Sequence, residues 1–279
     1  MGEASDMQDI NKYLNRIIEG DSREILKEFP DGSIDCVCSD VPYLIVTGGV
    51  AGIKKGIHTG GILNRKDLEN SKDLKKKWLR KDPSKDNVEF ITSGKFFENV
   101  PKFEEWLPEV YRVLKDGSHC YLMINSRNLK ELQTKAEAVG FKFLNLLVWI
   151  KNNKTPNKYY MQQCEFILML RKGYAKNIKV MGTSNVFQVA NPTGNKFHPN
   201  EKPVELMKEL IFQSTNSNDV VLDMFCGSGS SCVASKELGL NYIGIELEKK
   251  YADIAKERVA NPLKKREENE QINLFTEGI

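Results

Sequence analysis

Histidine is scarce in this chain of 279 residues: only His58, His119 and His198 occur, and they stand far apart. The six cysteines include no C-x-x-C pair. A zinc site needs such residues at short, defined spacings, so no metal is expected. Cys36 and Cys38 are two apart in a strand-like run and face one side of it. Cys120, Cys164, Cys226 and Cys232 lie in apolar or small-residue runs. Six free thiols fit a reducing compartment, so a cytoplasmic location is expected. Long apolar runs are missing as well. No stretch reaches the ~20 residues that a membrane-spanning helix needs. Residues 1–8 are small, polar and acidic, unlike a secretory leader. No membrane association is expected.

Net charge is almost absent too. The sum is +3, which excludes a uniformly basic coat. The distribution is less even than the sum. Residues 1–43 hold ten acidic side chains against four basic ones. Residues 44–102 hold thirteen basic against seven acidic, and residues 151–180 hold seven basic against Glu165 alone. The rest is neutral or acidic. Two basic islands are either solvated lysine-rich loops or two contact surfaces for a polyanion. The first island opens with Gly48, Gly49, Gly52, Gly56, Gly60 and Gly61 and continues through a charged run at 65–81 that reads as helix. It has the character of an insert.

Outside that insert, strands alternate with helices. Strands are expected at 15–21, 33–39, 118–124, 141–150, 164–170, 219–225 and 241–246. Helices are expected at 22–29, 103–114, 128–139, 203–214, 230–238 and 251–261, the first capped by Asp21 or Ser22. The strands at 141–150 and 164–170 form a long hairpin through the polar 152–160 loop. The pattern predicts an α/β fold with a mostly parallel sheet.

Two segments carry chemistry. An apolar strand runs into Phe225, Cys226, Gly227, Ser228 and Gly229, and a helix follows from Ser230. Glycines permit a tight turn and close approach of a ligand, and the helix N-terminus favours an anionic group. About twenty residues on, Glu246 ends the next strand, where an acid can accept from ribose hydroxyls. This pattern predicts a nucleoside-type cofactor and leaves open a dinucleotide or S-adenosylmethionine, although Cys232 stands where a third glycine would fall. The second segment, Asp40, Val41, Pro42 and Tyr43, lies at the carboxyl end of another strand, the edge at which open α/β sheets bind ligands.

Together these segments resemble the DNA amino-methyltransferases that use S-adenosylmethionine. The arrangement is the permuted one, called the beta group, in which the Asp-Pro-Pro-Tyr-type motif precedes Phe-x-Gly-x-Gly. The resemblance spans most of 12–261. Residues 15–21 resemble the segment ending in Gly-Asp, and 39–43 the catalytic motif. Residues 197–206 resemble the His-Pro-Thr-Gln-Lys-Pro segment, and 222–230 with 244–248 the cofactor motifs. It implies a circularly permuted, Rossmann-like methyltransferase fold with one antiparallel hairpin strand. One departure stands out: Val41 replaces the first proline. Valine still supplies a backbone carbonyl, and Pro42 biases Val41 towards extended conformations.

The resemblance also implies roles. Asp40 and the Val41 carbonyl would accept hydrogen bonds from the target amine, with Tyr43 stacked on the base. Phe225, Gly227, Ser228, Gly229, Ser230 and Asp223 would line the cofactor, with Glu246 on its ribose, Asp21 near its adenine and Lys202 at its methionine end. A leading Asp leans towards adenine N6; cytosine N4, or an inactive DNA-binding relative with Val41 as the lesion, are the alternatives. The implied layout is a catalytic domain at 1–262, interrupted by a DNA-contacting, target-recognising insert at 44–102. A second DNA-facing segment at 151–197 includes Lys151, Lys154, Lys158, Tyr159 and Tyr160. Trp149 is read as packing. The implied partner is double-stranded DNA, in a bacterial or phage-infected cell, and the family often forms homodimers. Residues 263–279 form a charged linker and a tail in which Gln271, Leu274 and Phe275 resemble the peptide that docks replication proteins on the bacterial sliding clamp.

Overall fold

The computed structural model describes residues 9–42, 100–155, 160–174, 176–192 and 201–261. Tyr43, residues 44–99 with the expected 65–81 helix, Lys158, Tyr159, residues 193–200 and the tail with Gln271, Leu274 and Phe275 lie outside them. The strands are β1 (Arg16–Glu19), β2 (Ile34–Asp40), β3 (Leu114–Ile124), β4 (Lys142–Thr155), β5 (Gln162–Arg171), β6 (Val186–Gln188), β7 (Val220–Asp223) and β8 (Asn241–Glu246). The helices are α1 (Ser22–Ile25), α2 (Phe103–Val113), α3 (Leu129–Val139), α4 (Val204–Ser214), α5 (Ser230–Glu237) and α6 (Lys249–Ala260).

All eight strands join one sheet in the order β1-β8-β7-β2-β3-β5-β4-β6. Only β5 runs against its neighbours, pairing antiparallel with both β3 and β4. The expected Rossmann-like sheet, mostly parallel with one antiparallel hairpin strand, is therefore found. Alternation along the strands explains the two-sided core. Val37, Leu122, Leu168, Leu222 and Ile243 face a layer containing Trp106, Leu107, Leu132 and Phe141. Cys36, Cys38, Tyr121, Met123 and Val221 face the opposite layer with Leu206, Leu210 and Ile211 of α4. Trp149 is buried there and donates from Nε1 to the Val189 carbonyl at 2.7 Å, as packing requires. Five of the six cysteines are buried, all six are free, and Cys164 is exposed. Among the described residues, no helix is long and apolar enough to cross a membrane.

The sheet differs from the sequence expectation in three places. β3 begins at Leu114, directly after α2, because Lys115, Asp116 and Gly117 form a bulge rather than a break. The two steps along β2 from Ile34 to Cys36 are matched by five along β3 from Leu114 to His119. β4 runs on to Thr155, through polar residues expected in a loop. β6 is an edge strand of three residues, too short to show alternation, paired to Val148–Ile150. The first helix is also shorter: α1 ends at Ile25 and a 3-10 turn continues over Leu26–Glu28.

Strand order reverses between β7 and β2. The connection from β7 through α5 leads to β8 on one side, and that from β2 through α2 leads to β3 on the other. Such a point opens a crevice at the carboxyl ends of the strands. Close packing beside it depends on Gly244 in β8. A Cβ there would lie 2.6 Å from Ile17 Cδ1 and 2.8 Å from Cys232 Sγ. Gly244→Val should therefore cost about 1–3 kcal/mol by overpacking. Urea unfolding measures this, and an unchanged midpoint would show that the two neighbours move aside freely.

Candidate active site

Three neighbouring strands end at the crevice: β8 with Glu246, β7 with Asp223 and β2 with Asp40. The glycine loop leaves β7. Gly227 and Gly229 have φ of 52° and 79°, a region that glycine enters at little cost. Gly229 is also where the loop meets α6, since a Cβ would come within 3.0 Å of Ala255. Glu246 holds the loop from the other side. One oxygen accepts from Gly227 N and the other from Glu248 N, both at 2.9 Å. Burial pushes the Glu246 carboxyl up, and these backbone donors pull it back.

Asp223 is buried deeper. Its Oδ1 accepts from Ser39 Oγ at 2.6 Å and from Phe225 N at 3.1 Å, and Oδ2 accepts from Ser231 Oγ. Burial lifts its carboxyl to about 6 despite these bonds. Asp223 thus shapes the loop and has both oxygens engaged within the protein. Ser228 and Ser230 are buried beside Arg258 of α6, which donates to the Ser228 carbonyl at 2.6 Å and to Ser228 Oγ at 2.8 Å. Arg258 also pairs with Glu201 at 3.1 Å, linking the segment before α4 to the loop. Phe225 packs edge-on against Trp106, with ring centroids 5.4 Å apart.

Asp40 is the last residue of β2, and Val41 behind it is buried, with its N–H bonded to the Met123 carbonyl at 3.3 Å. Lys202 Nζ donates to Asp40 Oδ2 at 2.7 Å. Asp40 Oδ1 is buried and has no hydrogen-bond partner among the described residues. Burial raises the Asp40 carboxyl, Lys202 opposes this and Glu165 adds to it. Asp21 caps α1 by accepting from Arg23 N at 2.9 Å, and the Arg23 side chain engages both its oxygens. That bonding holds the Asp21 carboxyl below its ordinary value. Gly20 N bonds the Glu246 carbonyl, so this turn sits beside the end of β8.

Of the residues singled out in the sequence, Asp40, Val41, Lys202, Asp223, Phe225, Gly227, Ser228, Gly229, Ser230 and Glu246 thus gather around one crevice, with Asp21 at its edge. Lys202 reaches Asp40 rather than the glycine loop. One expectation is corrected. Lys151 does not face solvent as a phosphate contact: its side chain is 11% exposed and its ammonium bonds Glu165 Oε1 at 2.9 Å, because the strand turns it inward onto a half-buried acid. Lys154 is exposed, and Tyr160 is 91% exposed. Glu165, Glu201 and Arg258 were missed as parts of the site. Glu165 had a signal: it is the one acid in a basic stretch, within an apolar strand.

The DNA methylase family model, N6_N4_Mtase, matches residues 34–257. The chain belongs to the DNA methylase family. Among relatives of this methylase, the type II methyltransferase M.HinfI of Haemophilus influenzae is 30% identical over 275 residues, covering 90% of this chain and 70% of its own length. M2.DpnII of Streptococcus pneumoniae, another type II methyltransferase, is 27% identical, covering 89% of this chain and 91% of its own. The chain is thus a DNA methyltransferase. Its fold is shared with the M1.HpyAVI–SAM complex, at 24% identity and a TM-score of 0.59, covering 87% of this chain and 98% of that one. It is shared too with the cytosine-N4-specific PvuII DNA methyltransferase, at 16% identity and a TM-score of 0.61, covering 87% and 85%.

The raised Asp223 carboxyl makes a stability prediction for this methylase. A group whose folded value exceeds its ordinary one stabilises fully below the ordinary value and loses that contribution as pH rises through the folded one. Folding stability should therefore fall between the ordinary carboxylate value and about 6 on account of Asp223. Urea denaturation across this range should show that part of the slope in the wild type and not in Asp223→Asn. Equal slopes would mean that the carboxylate is better solvated than its burial implies.

Proposed function

We propose that this DNA methyltransferase moves a methyl group from S-adenosylmethionine to the N6 amino group of an adenine turned out of double-stranded DNA. The observation that carries the reading is Asp40 Oδ1: a buried acceptor with no donor among the described residues, at the carboxyl end of β2. Buried polar atoms are rarely left unbonded, so one without a partner points to a missing ligand. An N–H of an exocyclic amine is a fitting donor. The adenine reading follows from Asp as the leading residue of the motif.

The cofactor fits this chain. The glycines adopt positive φ beside the N-terminus of α5, and Glu246 fixes the loop at the end of the adjacent strand. Phe225, Gly227, Ser228, Gly229 and Ser230 would hold it, with Glu246 at the ribose and Asp21 near the adenine. When bound, S-adenosylmethionine supplies an electrophilic methyl group on sulfur. The exocyclic amine is a weak nucleophile because its lone pair is delocalised into the ring. Asp40 and the Val41 carbonyl accept its two N–H bonds and favour a tetrahedral nitrogen. They would also stabilise the positive charge that grows on nitrogen as the new N–C bond forms and the methyl–sulfur bond breaks, until the methylated amine gives up one proton to solvent. Tyr43 stacks on the base, which must leave the duplex to reach the crevice. Support for a working motif despite Val41 comes from its N–H bond to the Met123 carbonyl of β3 and its buried side chain, which hold this backbone in place.

DNA would lie across the 44–102 insert and the exposed part of 151–197, including Lys154 and Tyr160. The tail at 271–275 is proposed as a sliding-clamp contact. The decisive experiment for the reaction is methylation of mixed-sequence DNA, digestion, and identification of the modified nucleoside. N6-methyl-2′-deoxyadenosine is expected; N4-methyl-2′-deoxycytidine would replace adenine with cytosine as the target. Asp40→Ala should lower kcat by about 10²–10³-fold or more. The wild-type rate should fall in acid as Asp40 takes up a proton, with the midpoint above the ordinary carboxylate value because burial raises it. Full activity in Asp40→Ala would remove Asp40 from the mechanism.

A further inference from the structure

Glu165 lies on β5, outside the segments that resemble the family motifs. Its two oxygens meet two different cations. Oε1 accepts from Lys151 Nζ at 2.9 Å, and Oε2 lies 3.3 Å from Lys202 Nζ. Lys202 Nζ in turn donates to Asp40 Oδ2 at 2.7 Å. Four charges of alternating sign thus run from β4 through β5 and the segment before α4 to β2. The Lys202 side chain is only 7% exposed, so solvent screens its contacts weakly.

We propose that Glu165 is a positioning residue for methyl transfer: acting through Lys202, it holds Asp40 by one oxygen and leaves the other unbonded, as an acceptor for the substrate amine. The proposal rests on the reading of Asp40 as the acceptor of that amine. Its physical basis is the sharing of one cation between two anions. An ammonium paired with Asp40 alone would neutralise it and weaken it as an acceptor. Glu165 draws part of that charge away and fixes the ammonium from behind, and Lys151 balances Glu165. The groups facing Asp40 are Lys202, Glu165 and, from β7, Asp223. Lys202 and Lys151 outweigh the burial that raises the Glu165 carboxyl and keep it below its ordinary value, so it stays charged through the working range.

The test follows the carboxyl carbon of Asp40 by NMR against pH in the full chain, with kcat and KM for DNA measured over the same range. Removing the cation in Lys202→Met should raise the Asp40 midpoint by about one to three pH units. Glu165→Gln should shift it in the opposite direction. The acid limb of kcat should follow both shifts. At the plateau, Glu165→Gln should lose about tenfold in kcat with little change in KM, and Glu165→Asp should recover part of that loss. Glu165→Gln is nearly isosteric and carries the test if Lys202→Met does not fold. In an active wild type, an Asp40 titration unmoved by Glu165→Gln overturns the proposal alone, as does an unchanged kcat. A wild-type chain that methylates no DNA overturns the functional reading, and the proposal with it.

Discussion

A carboxylate buried from solvent, Asp223, holds the site together. Asp223 accepts from Ser39 in β2, from Phe225 in the glycine loop and from Ser231 in the first turn of α5. These three donors belong to the two sides of the crevice. Ser39 precedes Asp40, so the bond from Ser39 ties the end of β2 to the glycine loop. A buried charge of this kind is a poor source of stability, because desolvation offsets most of what the bonds contribute. Its value is geometric. It allows one arrangement of loop and strand and disfavours others, since any other would strand a charge in the core.

The same logic governs the charge distribution. The near-neutral total hides two basic islands, and the second proves to be mixed in kind. Lys154 is exposed, whereas Lys151 is turned inward to a half-buried acid. On the opposite flank, Arg258 bonds the loop carbonyl at Ser228 and pairs with Glu201. Each flank of the crevice is therefore fastened by a cation that reads as a surface charge in the sequence. The long side chains reach inward and place their charge well away from their own backbone.

Much of the architecture was legible in the sequence because it follows from local rules. The hydrophobic periods located most of the elements, and the glycine loop with Asp40 placed the crevice. The misses have physical causes. Val186–Gln188 is too short to show a period, and its pairing with β4 is tertiary. The start of β3 was hidden because Lys115, Asp116 and Gly117 have turn chemistry, yet they bulge within a continuous strand. Glu165 could not be assigned a role because a partner 37 positions away, Lys202, is brought to it only by the folded sheet. Asp223 was placed with the cofactor because it stands in that motif; only the fold shows both its oxygens already bonded by the protein.

The strand order has a consequence in time. β1, near the start of the chain, pairs with β8, from Arg16↔Ile243 to Glu19↔Glu246. β2 pairs with β7, and Val220 N bonds Asp35 Oδ2 across 185 positions. Such contacts form late, since a long loop must close before they return any energy. A ribosome therefore delivers the strand bearing Asp40 long before the glycine loop exists. Through most of synthesis the growing chain holds one half of a reaction centre. The half built on the glycine loop arrives only when the sheet can close, so assembly of the sheet and completion of the crevice are one event.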